Sequence, residues 1–285
     1  MDDSMAVIGA GTMGIGIAYV FAVAGYAVTV VEPDAGRYEG LLRDVAGAAA
    51  GGVQRGRLAA ATAAALPDRL VHVTDVDALP TGLDLIVETV PEDLDLKRRI
   101  LAAAEDRVPT VLASNTSSLS IDALSNGLRN PAQFLGMHFF NPVWSLPLVE
   151  IVRGATTDDD TVARALTAAR AIGKQTAVVR DMPGFATSRL DVTTSLEAIR
   201  MVEEGVGSPD DIDRAIRLAY RHPVGPLRLA DIVGLDVRLH IARSLAASLG
   251  PRFEPPRLLI EKVAAGELGR KSGRGFYDWD DTDGR

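Results

Sequence analysis

The stretch "MAVIGAGTMG", residues 5–14, decides the fold. Met5 to Ile8 read as a short buried strand, and Gly9-x-Gly11-x-x-Gly14 turns that strand into a helix ending near Gly25. "YAVTVV" (26–31) is a second strand, closed by the acidic "EPD". A glycine turn between strand and helix lets the backbone approach a pyrophosphate, whose negative charge sits at the helix N-terminus. Glu32 follows Gly14 by 18 residues. At the end of the second strand a carboxylate can accept both ribose hydroxyls of an adenosine. A 2′-phosphate would meet like charge there, so the pattern points to NAD. Gly9, Gly11, Thr12, Met13, Gly14 and Glu32 are the candidate cofactor-binding residues of this unit.

The 27 residues from Met5 to Val31 carry no charge, which meets the length criterion for a membrane span. Five glycines punctuate the run, and Asp2 and Asp3 precede it where a signal peptide would be basic. A strand–turn–helix–strand unit explains those glycines and a lipid-facing helix does not. At 285 residues two domains are expected, and 47% hydrophobic with 24% charged residues is an ordinary globular balance. A net charge of −8 argues against a nucleic-acid partner. It leaves room for an anionic ligand held by local arginines and backbone amides. There is no cysteine. Disulfides and thiolate metal sites are therefore absent, which fits a cytoplasmic protein.

The alternation continues outward. "RLVHVT" (69–74), "LDLIVETV" (83–90), "TVLASN", "FLGMHFF", "LVEIV" and "QTAVVR" read as strands, with helical periodicity between several of them. That is the pattern of an α/β fold with a Rossmann-type, doubly wound parallel sheet. The Ala-rich segment 45–66 reads as a helical excursion. It carries Arg55 and Arg57, candidate contacts for substrate phosphates. "RDMPGF" (180–185) marks a boundary, giving a nucleotide-binding domain over 1–183 and an all-α domain over 184–285. In the second domain Ser208 is an N-cap with Pro209 at the first helical position and Asp211 three residues after the cap. Ile212, Ala215, Ile216 and Ala219 form an apolar face at helical spacing. A helical stretch over 228–249 is broken near Gly234. So much apolar surface on about 100 residues suggests burial against a second subunit.

"GMHFFNPVWSLPLVE" (136–150) spends one of only four histidines inside a nearly uncharged run. Read by itself, His138 is a core histidine or half of an acid–base pair, with Glu150 the next charge along the chain.

Seven pieces together resemble the L-3-hydroxyacyl-CoA dehydrogenase family over nearly the full length. In order they are "GAGTMG", "ETVPEDLDLK", "ASNTSSLSI", "GMHFFNPV" with "LVEIV", "RDMPGF", "HPVGPLRLADIVGLD" and "GRKSGRGFYDW". The resemblance implies NAD-dependent oxidation of the 3-hydroxyl of an acyl thioester, by a homodimer, in fatty-acid β-oxidation and related routes. It implies His138 as general base and Glu150 as its orienting partner. An imidazole suits this work because its ordinary pKa lies near neutrality, and a carboxylate on its other nitrogen fixes the tautomer. It implies Ser117 as a contact of both substrate and cofactor, and Asn141 beside the nicotinamide. Glu92, Lys97 and Lys271 match further cofactor contacts. His72, His222 and His240 have no matching role, and nothing resembles a metal-ligand cluster.

One departure matters. Many members read P-G-F-x-x-N-R, whereas this chain reads "PGFATSR" with Ser188 at the asparagine position. Ser188 then stands where the family places a substrate- and dyad-contacting amide, and a hydroxyl cannot offer both an amide donor and a carbonyl acceptor. Three readings follow: a CoA-thioester dehydrogenase for a short or carboxylated acyl chain, the same chemistry on a carrier-protein thioester or free hydroxy acid, or a non-catalytic NAD-binding protein.

Overall fold

The computed structural model describes residues 4–279. The chain divides into two units with the boundary between Met182 and Pro183. The first contains β1 (Ser4–Ile8), α1 (Thr12–Val23), β2 (Ala27–Val31), α2 (Ala35–Gln54), α3 (Ala60–Ala65), β3 (Leu70–Val73) and β4 (Leu85–Glu88). It continues with α4 (Leu94–Glu105), β5 (Val111–Ser114), α5 (Ile121–Ser125), β6 (Phe134–Phe139), β7 (Leu148–Arg153), α6 (Asp159–Ala171) and β8 (Gln175–Arg180).

These strands make one eight-stranded sheet in the order β3-β2-β1-β4-β5-β6-β7-β8. The order reverses between β1 and β4, the switch point at which ligands bind in such sheets. β4 and β5 are buried along their whole length, as strands covered on both faces must be. The expected doubly wound sheet is present, with one correction to its direction. Strands β1 to β6 are parallel, but β7 runs antiparallel to β6, and β8 runs parallel to β7. Only residues 140–147 separate β6 from β7. A parallel connection needs a crossover of about a dozen residues or more, so this short link enforces a hairpin-like reversal. The Ala-rich excursion is helical but divided, with the break at residues 55–59, where Gly56 takes a φ of 68°.

The second unit contains α7 (Thr187–Glu203), α8 (Pro209–Tyr220), α9 (Pro226–Val233), α10 (Leu235–Leu249) and α11 (Arg257–Ala264). Its core joins Val192, Leu196 and Ile199 of α7 to Leu227, Leu235, Leu239 and Leu259. Ser208 caps α8 as expected, its hydroxyl accepting from the Asp211 amide at 3.2 Å. Gly234, at φ 106°, separates α9 from α10. Of the expected apolar face of α8, Ile212 is buried while Ala215 and Ala219 are exposed. Asp213 is buried instead, and it accepts from the backbone N–H groups of Leu227 and Arg228 at 2.9 and 2.8 Å. Those are the first-turn amides of α9, so a carboxylate from α8 caps the next helix. Asp231 accepts from the amides of Phe276 and Tyr277 and from the Trp279 indole, tying the glycine-rich tail to α9. Among the described residues no helix is long and apolar enough to cross a membrane.

Candidate active site

The glycine turn sits at the carboxyl ends of β1 and β4 and borders a cavity of about 620 Å³, whose lining includes Gly11, Thr12, Met13, Glu32 and Thr89. Each glycine answers a different need. Gly9 holds a φ of +106°, which side chains rarely adopt. A Cβ on Gly14 would lie 1.9 Å from the Gly9 carbonyl oxygen, so only glycine lets helix and turn pack. A Cβ on Gly11 would meet nothing within 4 Å, so that position faces open space where a bound group can approach the backbone. α1 begins without a side-chain cap and without an acidic residue in its first turn. Its N-terminal amides and dipole are therefore left to an anionic group. The cavity, the open glycine and the uncapped helix fit a dinucleotide pyrophosphate.

Glu32 is buried at the end of β2. One carboxylate oxygen accepts from the Ala10 amide at 3.0 Å and the other from the Asp34 amide at 3.1 Å. Each oxygen keeps a lone pair for a ribose hydroxyl, while the carboxylate also braces the glycine turn. His72 donates its Nε2–H to the Glu32 carbonyl at 2.8 Å and stacks on Tyr38.

Two loops follow the neighbouring strands. Glu92 lies after β4, and one of its oxygens gathers the Thr116 hydroxyl, the amides of Ser117 and Ser118, and the Ser118 hydroxyl. Burial acts to raise the Glu92 carboxyl, but the Thr116 bond, the Lys97 charge and the Ser118 bonds outweigh it and hold it below the usual carboxylate range. Ser117 is thereby placed, exposed, at the carboxyl end of β5. Lys97 is fully buried, with its Nζ 2.8 and 3.1 Å from the two Glu88 carboxylate oxygens. Burial pushes the Glu88 carboxyl up, against the pull of Lys97, the Ser114 hydroxyl and the Val90 amide.

His138 and Glu150 stand directly opposite each other in the β6–β7 register. Opposed residues in an antiparallel pair hold their Cβ atoms about 5 Å apart, so the sheet itself fixes the separation. The result is a contact of 2.8 Å between His138 Nδ1 and Glu150 Oε2, with both side chains buried. Alternation sends Met137, Phe139, Val149 and Ile151 into the core on the other face. The sequence left a core histidine open as an alternative; the geometry pairs it with a carboxylate. Asn141 follows β6 in an exposed loop, on the same edge of the sheet.

Arg55 and Arg57 border a separate cavity of about 540 Å³, together with Tyr19, Trp144 and Lys174. Lys174 donates to the carbonyls of Val143 and Leu146, anchoring the loop between the two dyad strands. In the helical unit, Ser188 lies half-buried in the first turn of α7, and Lys271 pairs with Asp236 at 2.6 Å. Sequence reasoning missed Asn115, whose side-chain oxygen accepts from the Phe139 amide at 2.9 Å, one residue beyond His138. It also missed Glu88 and Lys174. A charge closing the apolar run "LDLIVETV" was the available signal for Glu88.

Comparison with known proteins places the whole chain in a family. The family described as 3-hydroxyacyl-CoA dehydrogenase, NAD binding domain, matches residues 4–182, and the corresponding C-terminal domain matches residues 184–279. A 3-hydroxybutyryl-CoA dehydrogenase of Mycobacterium tuberculosis is 42% identical, with 96% of this chain and 97% of the relative covered. A 3-hydroxyadipyl-CoA dehydrogenase of Escherichia coli is 38% identical over 97% of this chain, which spans 59% of that relative. The crystal structure of an (S)-3-hydroxybutyryl-CoA dehydrogenase from Ralstonia eutropha superposes with a TM-score of 0.93 at 36% identity, covering 98% of this chain and all of the other.

Proposed function

The chain belongs to the 3-hydroxyacyl-CoA dehydrogenase family of NAD-dependent enzymes, and on that premise we propose that His138 carries the oxidation of an L-3-hydroxyacyl-CoA to the 3-oxoacyl-CoA. The observation that carries this reading is the Nδ1–Glu150 contact of 2.8 Å across the β6–β7 pair. With Nδ1–H donating to Glu150, the imidazole lone pair lies on Nε2. That nitrogen takes the substrate hydroxyl proton while the hydrogen on C3 leaves as hydride. NAD, when bound, supplies the hydride acceptor. Glu150 stabilises the imidazolium that results, as the carboxylate does in a serine-hydrolase triad.

The remaining assignments belong to the same proposal. Gly9, Gly11, Thr12, Met13 and Gly14 cradle the pyrophosphate, and Glu32 selects NAD through the ribose. By their family positions Ser117 and Asn141 serve the nicotinamide and the reacting oxygen, while Ser188 and Lys271 match family contacts by sequence position alone. Arg55 and Arg57 hold phosphates of the CoA carrier, which supports CoA over a carrier-protein thioester or a free acid. Leu218 and Tyr220, 76% and 72% exposed on α8, support a homodimer. The cysteine-free composition supports a cytoplasmic location.

The test is NADH formation over a panel of 3-hydroxyacyl-CoA chain lengths, a carboxylated acyl-CoA, a carrier-protein thioester and the free acids. Turnover greatest on CoA thioesters is expected. Turnover on free acids alone overturns the CoA reading, and none on any member overturns the enzyme.

A further inference from the structure

Three cations line the cavity beside α1, and only one of them is buried. Arg55 and Arg57 are exposed, whereas Lys174 is 8% exposed. Among the described residues no carboxylate lines the cavity or pairs with Lys174. Burial holds its ammonium below the ordinary lysine value. A buried charge without a counter-charge is costly, and a lysine's long stem lets its head swing out to water.

What draws this ammonium inward is the loop between the two dyad strands. The lysine's backbone is fixed at the end of α6, where its amide donates to the Ala169 carbonyl at 2.9 Å. From there the ammonium donates to the carbonyl of Val143 and, at 2.7 Å, to that of Leu146. Two of its three hydrogens are thus spent on residues 140–147, and one remains on the side chain that lines the cavity. The same loop puts Trp144 in the cavity wall, edge-on to Tyr19 of α1 with ring centroids 5.9 Å apart. Asn141 stands two residues before Val143.

We propose that Lys174 is a positioning residue that couples a substrate phosphate to hydride transfer: a phosphate seated beside Arg55 and Arg57 holds the ammonium inward on Val143 and Leu146, and so fixes Asn141. This rests on the reading above that the cavity takes phosphates of CoA. The phosphate supplies the counter-charge that the protein omits. It favours the inward lysine over the outward one, and differential affinity of this kind is what lets a ligand shift such an equilibrium. Binding energy from a part of the substrate far from C3 is then spent on orienting the reacting groups.

The experiment separates the phosphates from the acyl group. NADH formation at saturating NAD is followed on a 3-hydroxyacyl thioester of N-acetylcysteamine, which carries no phosphate, with and without adenosine 3′,5′-bisphosphate. The CoA thioester is run beside it, and bisphosphate binding is measured by calorimetry. In the unaltered enzyme the truncated thioester should show a kcat about tenfold below that of the CoA thioester, within the scale of a small misplacement of reacting groups. The bisphosphate should restore most of that loss. Lys174→Met should lower kcat on the CoA thioester to a similar extent and should not respond to the bisphosphate, although Arg55 and Arg57 still bind it.

Bisphosphate that binds the unaltered enzyme without stimulating it would overturn the coupling and leave the CoA reading standing. Equal stimulation in Lys174→Met would also overturn it. A lower unfolding temperature in that variant, with kcat and response preserved, would reduce Lys174 to a structural anchor. Should the variant fail to fold, the unaltered enzyme still decides, since equal kcat on the two thioesters sinks the proposal. No bisphosphate binding, with the CoA thioester still turned over, would remove phosphates from this cavity and the coupling with them. Absence of turnover on either thioester would instead defeat the dehydrogenase reading on which the coupling depends.

Discussion

The two units bury charge in opposite ways. In the sheet unit, two buried pairs bring titratable groups together, Lys97 with Glu88 and His138 with Glu150, while Glu32 and Lys174, buried against backbone groups, are the exceptions. Both pairs lie near the carboxyl edge of the parallel strands, where the glycine turn also opens. In the helical unit, Asp213 and Asp231 are buried against backbone amides, an indole and a phenol. Arg238, buried against Asp191, is that unit's exception. Charge facing charge sets protonation and geometry for chemistry, whereas charge facing N–H groups holds chain segments in place. The first arrangement should fail in rate and the second in stability.

The sharpest test of that contrast is His138→Ala. Turnover should fall by about 10²–10⁴-fold, roughly 3–5 kcal/mol of barrier, with NADH affinity and unfolding midpoint nearly unchanged. Asp231→Ala should do the reverse. It strands three donors, one of them the buried Trp279 indole, and a loss of about 3 kcal/mol in urea unfolding is expected, with near-normal kcat in the folded fraction. An equal loss of rate in that fraction would erase the distinction between the units. Glu32→Gln is smaller: the ratio of NAD to NADP efficiency should narrow by about tenfold, or 1.4 kcal/mol, mainly through weaker NAD binding. Equal efficiency with both cofactors in the unaltered enzyme would defeat the role given to Glu32.

The smallest effect concerns pH. Burial and the neighbouring Asp213 push the Tyr277 phenol well above its ordinary value of 10.0. Above that pH the unfolded chain ionises this phenol while the folded chain keeps it protonated. The stability it contributes is therefore complete below about pH 10 and lost as pH rises toward the folded value. Tyr277→Phe should be slightly less stable at neutral pH and should lose less stability than the parent on going to alkaline pH. Parallel alkaline unfolding curves would remove Tyr277 from the account.

Much of this was legible in the sequence where a local rule acts. The glycine spacing, the acid after β2 and the Ser208–Pro209 cap each depend on neighbours along the chain. The histidine in "GMHFFNPV" announced itself because a titratable group in an apolar run needs a partner. The direction of β7 did not, since alternation marks a strand's faces and says nothing of which way it runs. The surroundings of Lys97 were hidden for a related reason. Glu92 and Lys97 are five residues apart and read as solvated charges or ligand contacts, while the acceptors that bury the lysine come from β4 and from residue 115. Asp213 lay outside the expected apolar face and went unremarked, because its partners are the Leu227 and Arg228 amides of another helix.

The β6–β7 register separates two things that an enzyme lineage needs to change at different speeds. His138 faces Glu150 because the ladder pairs them, not because residues 140–147 have a particular length. Residues can be inserted into that loop, altering the wall formed by Trp144 and Pro147, while the acid–base pair stays in register. A slip of β7 by a single residue is another matter. It would carry Glu150 to the core side and bring Val149 or Ile151 opposite the histidine. Pocket shape is thus open to drift by insertion, and the dyad is guarded by the parity of the strand.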